Sequence, residues 1–282
     1  MKLGISMDAY RKTCEPVEAV HRLADIGFDC LEFNLSDYVS KDSPLAVEGW
    51  MDWIERIANA VKEMNMRVSQ VHAPIYRALG DHDSDEHFDL MTERMFLACE
   101  IMQIPYAVFH PRFKREGLLQ KNAVETKKWN VDWLSAWAER ASESNVFIAI
   151  ENLFDFWDVP GYCTNARMIV DLIEGIDQDN VCVCLDTGHA WIAGNDPSDF
   201  AKELGPRLKV LHVHDNLGGG DQHVAPYVGS IDWPKFMETL KAIEYGGVFS
   251  FEIHHYIQRM PPEMIDDVAR IAYRIGRHLV DM

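Results

Sequence analysis

The sequence lacks any long uncharged apolar run, which excludes a membrane-spanning helix of the usual length of about 20 residues. The mean hydropathy of -0.19 agrees. Cations are scarce: 27 Lys plus Arg stand against 45 Asp plus Glu, for a formal net charge of -18. Binding to a phosphate backbone draws most of its affinity from Lys and Arg. The acidic balance therefore argues against a nucleic-acid partner and favours a small neutral or mildly charged substrate. No Ser/Gly linker or low-complexity tract divides the chain. The opening MKLGISMDAY has no apolar core before Asp8, so it reads as a first strand and not as a secretory leader. The six cysteines at 14, 30, 99, 163, 182 and 184 lack the paired spacing of a zinc ribbon or a disulfide scaffold. They are expected as free thiols in a reducing cytoplasm. Cys182 and Cys184 alternate with Val on one face together with Asp186, as small interior residues would.

What the chain does contain is a regular alternation. Short apolar strand-like runs fall at 3–7, 30–35, 67–72, 107–110, 146–151, 181–186, 209–214 and 248–254. Between them lie stretches such as WMDWIERIANAVKEMNM and NARMIVDLIEGI, with apolar residues three and four apart as an amphipathic helix requires. A helix-like PPEMIDDVARIAYRIGRHL closes the chain. Alternating strands and helices call for a parallel sheet. Eight repeats in 282 residues allow it to close into a single-domain (β/α)8 barrel spanning 1–282. The least regular stretches, 36–44, 76–86, 112–121 and 215–230, all follow strands, where the binding loops of such a barrel belong.

The chemistry concentrates at strand ends. Glu151 follows VFIAI, Asp186 follows VCVCL and Glu252 follows VFSF, while VLHVH carries His212 and His214. Carboxylates are costly to desolvate without a positive partner, so several that end buried strands imply a shared cation, most simply a divalent metal. His72 and His110 end two further strands, and the carboxyl ends of all strands converge on one mouth in this architecture.

The motifs VHAP (71–74), FHP (109–111), IEN (150–152), LDTGH (185–189), HVHDN (212–216), GDQH (220–223) and FEIH (251–254) resemble those of the xylose-isomerase-like barrel superfamily, over essentially the whole chain. That superfamily includes sugar and sugar-phosphate isomerases and epimerases, related dehydratases and metal-dependent apurinic-site endonucleases. For the isomerase branch, the resemblance implies one divalent metal (Mn, Mg, Co or Zn) held at the positions of Glu151, Asp186, His212 and Glu252. The endonuclease branch implies three zinc ions, with further ligands at His72, His110, His189, Asp221 and His223. His189 also matches a residue that contacts substrate hydroxyls in the isomerases. All nine positions carry the matching residue here. Dimers or tetramers are common among such relatives, so a homo-oligomer is implied too.

A hard dication can hold adjacent carbonyl and hydroxyl oxygens of a sugar and stabilise the enediolate formed on proton removal. Glu151 and Glu252, from strands far apart around the mouth, are the candidate acid and base. His72, His110, His189, Asp221 and His223 are read as a second metal site or as substrate contacts, and His214 as a neighbour on the same inward face as His212. Arg112, Lys114 and Arg115 suit a phosphate or carboxylate on the substrate. Trp191, Trp157 and Phe113 suit stacking on a sugar ring. For Glu32, a structural ion pair is the better reading than pocket lining. Gly218 to Gly220 lacks the strand and helix context of a nucleotide loop. The expectation is a metal-dependent isomerase or epimerase of a sugar, sugar phosphate or polyol-derived ketone. The alternatives are a zinc phosphodiesterase of the apurinic type, a dehydratase on the same metal, and a barrel that binds sugar or metal without turnover.

Overall fold

The computed structural model describes residues 1–36, 38–75, 82–112, 123–155 and 161–282, with side chains throughout these ranges except at 82–84 and 123. Eight parallel strands form one sheet: β1 (Lys2–Ser6), β2 (Cys30–Asn34), β3 (Val68–His72), β4 (Tyr106–Phe109), β5 (Phe147–Glu151), β6 (Val181–Asp186), β7 (Leu208–His212) and β8 (Val248–Phe251). Neighbours follow chain order from β1 to β7, and β1 also pairs with β8. At the last seam, Val213 N donates to Ser250 O (2.8 Å) and Glu252 N to Val213 O (3.1 Å). The sheet is thus a (β/α)8 barrel.

The strands are buried on both faces, as a sheet wrapped in helices requires. Their inward residues Val108, Ala149, Cys182, Cys184 and Val210 pack together inside the barrel with Tyr106 against them, so both cysteines occupy the small interior positions expected. Their outward residues join the main core under the helices. Helix α1 spans Pro16–Ile26, α2 Trp50–Glu63, α3 His82–Met102, α4 Ala123–Glu143 and α5 Ala166–Ile176. Helix α5 shows the local logic: Asn165 caps it by accepting from Met168 N (3.0 Å), and Ala166, Ile169, Leu172 and Ile176 form the buried stripe. Helices α6 (Thr187–Ile192) and α7 (Pro197–Leu204) lie between β6 and β7, followed by α8 (Trp233–Ala242), α9 (His254–Gln258) and α10 (Ile265–Val280).

Most strand boundaries shift by one or two residues from the sequence reading, so that His110 and His214 fall just past β4 and β7, and three departures are larger. Strand β8 ends at Phe251, and His254, expected within it, begins α9. Helix α3 already starts at His82, inside the stretch expected to be irregular. The β6 to β7 connection holds two helices that are too short to show an amphipathic repeat. They are set instead by caps: Asp186 accepts from His189 N, and Asp196 from Ser198 N with Pro197 at the first turn. Stretch 215–230 is irregular as expected, apart from a bridge between Asp215 and Val224. Among the described residues, no helix is long and apolar enough to cross a membrane.

Candidate metal centre

The carboxyl ends of the strands bring the predicted acids and histidines together at one mouth. Glu151, at the last position of β5, is the hub. Its Oε2 lies 3.1 Å from His212 Nδ1, 3.3 Å from His110 Nε2 and 3.5 Å from His72 Nε2, and its Oε1 lies 3.1 Å from His189 Nδ1. Glu252, just past β8, places Oε2 3.5 Å from the same His212 Nδ1. A second cluster adjoins: Asp221 Oδ2 is 2.9 Å from His223 Nε2 and 3.4 Å from His189 Nε2. His214 Nε2 lies 3.9 Å from Asp221 Oδ1, and its ring stacks on His223 with centroids 4.0 Å apart. The ligand atoms of His72, His110 and Glu151 form one compact group, and those of His189, His214, Asp221 and His223 another.

Asp186 joins the centre indirectly. It accepts from His189 N (2.6 Å) and stands 2.9 Å from His214 Nε2, but forms no ion pair with His212. Asn152 fixes it in place, its Oδ1 accepting from Asp186 N and its Nδ2 donating to Asp186 O.

The Gly-rich loop after β7 is pinned so that Asp221 and His223 turn inward. Asp215 accepts from the backbone N–H groups of Asn216 (2.9 Å), Ser230 (2.9 Å) and Ile231 (3.2 Å) and from Trp233 Nε1 (2.8 Å). His223 sits at φ 45°, a left-handed conformation uncommon outside glycine. Such strain persists only where the surroundings fix it, and it often marks a functional position.

Ring tautomers fix what these histidines offer. Nδ1 of His72, His189 and His223 contacts the backbone oxygen of Ala73 (2.8 Å), Asn152 (2.9 Å) and Glu252 (2.8 Å) respectively. A carbonyl only accepts, so Nδ1 carries the proton and the neutral ring presents the Nε2 lone pair to the centre, the arrangement of a metal-ligating histidine. His212 points the other way. Its Nε2 is 2.7 Å from Glu32 Oε2, without the alignment of a hydrogen bond, and its Nδ1 faces Glu151 and Glu252. Glu32, itself in this ion pair as expected, also accepts from Gln70 Nε2 (2.6 Å).

The donors fit a divalent cation. Glu151 Oε2, His212 Nδ1 and Asp221 Oδ1 are buried without a hydrogen-bond partner. Ligand bonds of about 2.0–2.1 Å at tetrahedral angles put neighbouring donors roughly 3.3 Å apart, which is the range around Glu151 Oε2. Electrostatics point the same way. Burial opposes ionisation of Glu151, yet His110 and His212 hold its pKa well below the usual carboxylate value. Burial likewise opposes charge on His189 and His212, but neighbouring acids raise both well above the ordinary imidazole value. His223, against the same burial, is raised to about 9, chiefly by Asp221. Glu252 is raised to about 7, first by burial, with Glu151 and Glu32 adding to the shift against His212 and His223.

Two other predicted residues have contacts of their own. The Arg112 guanidinium stacks 3.9 Å over the Trp133 ring, with Trp129 and Phe88 nearby. Trp191 packs against the hydrophobic core. Phe113, Lys114, Arg115 and Trp157 lie outside the described residues. Sequence reasoning gave no role to Cys184, whose thiol groups with Glu151 and His212. It also read His254 as strand, whereas its ring stands 4.5 Å from that of His223. Burial raises the Cys184 thiol, which stays neutral. Its alternation with Asp186 was a usable signal; His254 carried none beyond its place in FEIH.

A family model described as xylose isomerase-like TIM barrel matches residues 20–274. An uncharacterized protein of Methanocaldococcus jannaschii is 33% identical over 148 residues, 51% of this chain and 49% of that protein. A probable endonuclease 4 of Mesomycoplasma hyopneumoniae is 30% identical over 55% of this chain and 58% of its own length. An inosose isomerase of Bacillus licheniformis is 25% identical over 61% and 63%. The chain thus spans about half the length of the curated relatives it matches. Among solved structures, a D-psicose 3-epimerase in the presence of D-fructose superposes with a TM-score of 0.78 at 17% identity, covering 99% of both chains. An IolI protein with a bound zinc atom superposes at 0.77 and 18% identity, covering 99% of this chain and 96% of that one. At such identities the superpositions speak for the fold.

Proposed function

The chain belongs to the xylose isomerase-like TIM barrel family, and from that premise we propose that it is a divalent-metal-dependent isomerase or epimerase of a sugar, sugar phosphate or polyol-derived ketone. The supporting observation is the convergence of Glu151, Glu252 and the inward-facing nitrogen of His212 on one buried point. Glu151, Glu252 and His212 would hold the cation, and Asp186, joined to Glu151 through His189, would complete the set. Bound there, the cation would polarise a substrate carbonyl and its neighbouring hydroxyl. The chain's own residues move the proton. Glu252, which burial makes harder to ionise before a cation binds, would take and return the proton as general base and acid. Glu151 rises from β5, three strands away around the barrel, and serves the carbon from another side. Zinc, manganese, cobalt and magnesium all suit the oxygen and imidazole donors.

A second reading, phosphoester cleavage, draws on the two extra groups, His72 with His110 and His189 with Asp221 and His223, which one cation does not require. The formal charge of -18 weighs against a nucleic-acid substrate. One experiment separates the readings. Metal-loaded protein is incubated in deuterated water with a panel of ketoses, inososes and their phosphates, and loss of the C–H signal next to the carbonyl is followed by NMR. Abasic-site DNA is assayed in parallel. Exchange that falls at least about a hundredfold in Glu252→Gln supports the isomerase. DNA cleavage without exchange, lost in His72→Ala, would replace it with the phosphodiesterase.

A further inference from the structure

The opposite end of the barrel carries a feature that proton transfer does not use. A cavity of about 960 Å³ opens at the amino ends of β3, β4, β7 and β8, its inner wall formed by Ser69, Gln70, Tyr106 and Val248. The charged side chains lining it are Lys62, Arg67 and Lys209 against Glu55 alone. A second cavity of about 720 Å³ shares Arg67, Gly246 and Gly247 with the first, adding Lys2 and Lys241 against Glu244. Together five cations face two acids, on a chain where acids outnumber cations 45 to 27.

These cations are also unspent. Among the described residues none of the five forms an ion pair, whereas Lys127, Lys128, Lys202 and Lys235 elsewhere each pair with an aspartate. Arg67 makes one side-chain contact, from Nε to Cys30 Sγ at 3.3 Å, which leaves its terminal nitrogens for another acceptor. The shared wall is backbone held close: a Cβ on Gly247 would fall 2.3 Å from Tyr245 Oη and 2.6 Å from Lys209 O. The five-residue strand β5 separates this end from Glu151 by roughly 15 Å, so the cations lie outside the reach of a substrate at the mouth.

We propose that this amino-terminal face is a second ligand site, taking a small molecule with two or more phosphate or carboxylate groups. The Arg67 fork suits one oxyanion, and Lys62 and Lys209 supply point charges for another. The cavity is within the size range of small-molecule sites.

The test titrates propane-1,3-diol bisphosphate, and tricarballylate as the carboxylate probe, into the metal-loaded protein by calorimetry in 0.15 M salt. The Lys62→Ala/Arg67→Ala/Lys209→Ala variant is compared with a control lacking Lys128, Lys202 and Arg274, three exposed cations elsewhere. The expected result is saturable binding of one molecule per chain, at least tenfold weaker in the cavity variant and unchanged in the control, with equal metal content and melting temperature in all three. Which probe binds more tightly identifies the anionic group. Three results would overturn the site: absence of saturable binding, equal weakening in the control, or binding that disappears when the metal is chelated, which would place the anion at the mouth.

Discussion

Glu32 and Gln70 reach the centre from inside the barrel, through His212. Burial favours the neutral form of Glu32, but His212 at 2.7 Å outweighs it and the carboxyl is held below its ordinary value. A buried carboxylate at the far nitrogen of a ligating histidine orients the ring and raises its basicity. Glu32→Gln keeps the shape and the contact to Gln70 but removes the charge. The metal affinity of that variant should fall about 10- to 100-fold, read by competition with a chromogenic chelator at fixed pH, with little change in melting temperature. Wild-type affinity would show that His212 does not act through Glu32. The sequence announced that Glu32 would be paired, but not with what: β2 and β7 lie well apart in the strand order and the partner is 180 positions away, so only barrel closure brings them together. The strand-end acids and histidines were legible because each follows an apolar run. The role of Asn152 was not, since it depends on β5 lying beside β6.

Helix α6 shows how tightly an element can be tied to the site. Gly188 is its second residue, and a Cβ there would stand 1.9 Å from His214 Cε1, 2.2 Å from His214 Nδ1 and 2.6 Å from Asn216 Nδ2. None of these atoms can yield cheaply, because His214 is fully buried and its Nε2 is held by Asp186. Gly188→Ala should therefore destabilise the fold by about 1–3 kcal/mol, as overpacking does, and displace His214 from Asp186. Urea unfolding measures the first and metal content the second; a variant with wild-type values for both would refute the tie. The same helix marks where pattern reading stops. Long elements such as α2 and α5 repeat their apolar spacing often enough to be seen, whereas six residues of α6 span under two turns and depend on the Asp186 cap. At β8, the run of apolar and aromatic residues continues past Phe251, where the backbone instead turns into α9.

For the whole molecule, the centre links stability to pH and metal. The chain carries a formal charge of -18, and its buried acids are balanced partly by protons on histidines. Above pH 7 the unfolded chain binds almost no protons on His or Glu, while the chelated native protein still holds them on His223, with a pKa of about 9, and on His189 and His212, raised well above the ordinary value. The native state then binds more protons than the unfolded one, so stability must fall as pH rises. His110, His214 and His254 are shifted downward, first by burial, and are neutral in both states here, so they add no slope. With cobalt or manganese bound, the ligating groups have already released their protons and their part of the slope should disappear, leaving the part due to Cys99, Cys163, Cys182 and Cys184, whose thiols burial keeps protonated in the native state only. In reductant, the melting temperature with chelator should drop between pH 7 and 8.5 by several degrees more than that with metal, so that the gain on adding metal grows with pH. Differential scanning calorimetry of the two forms across this window decides it. A gain that shrinks with rising pH would mean that the histidines do not give up protons to a cation, and would remove the basis for a metal centre at the mouth.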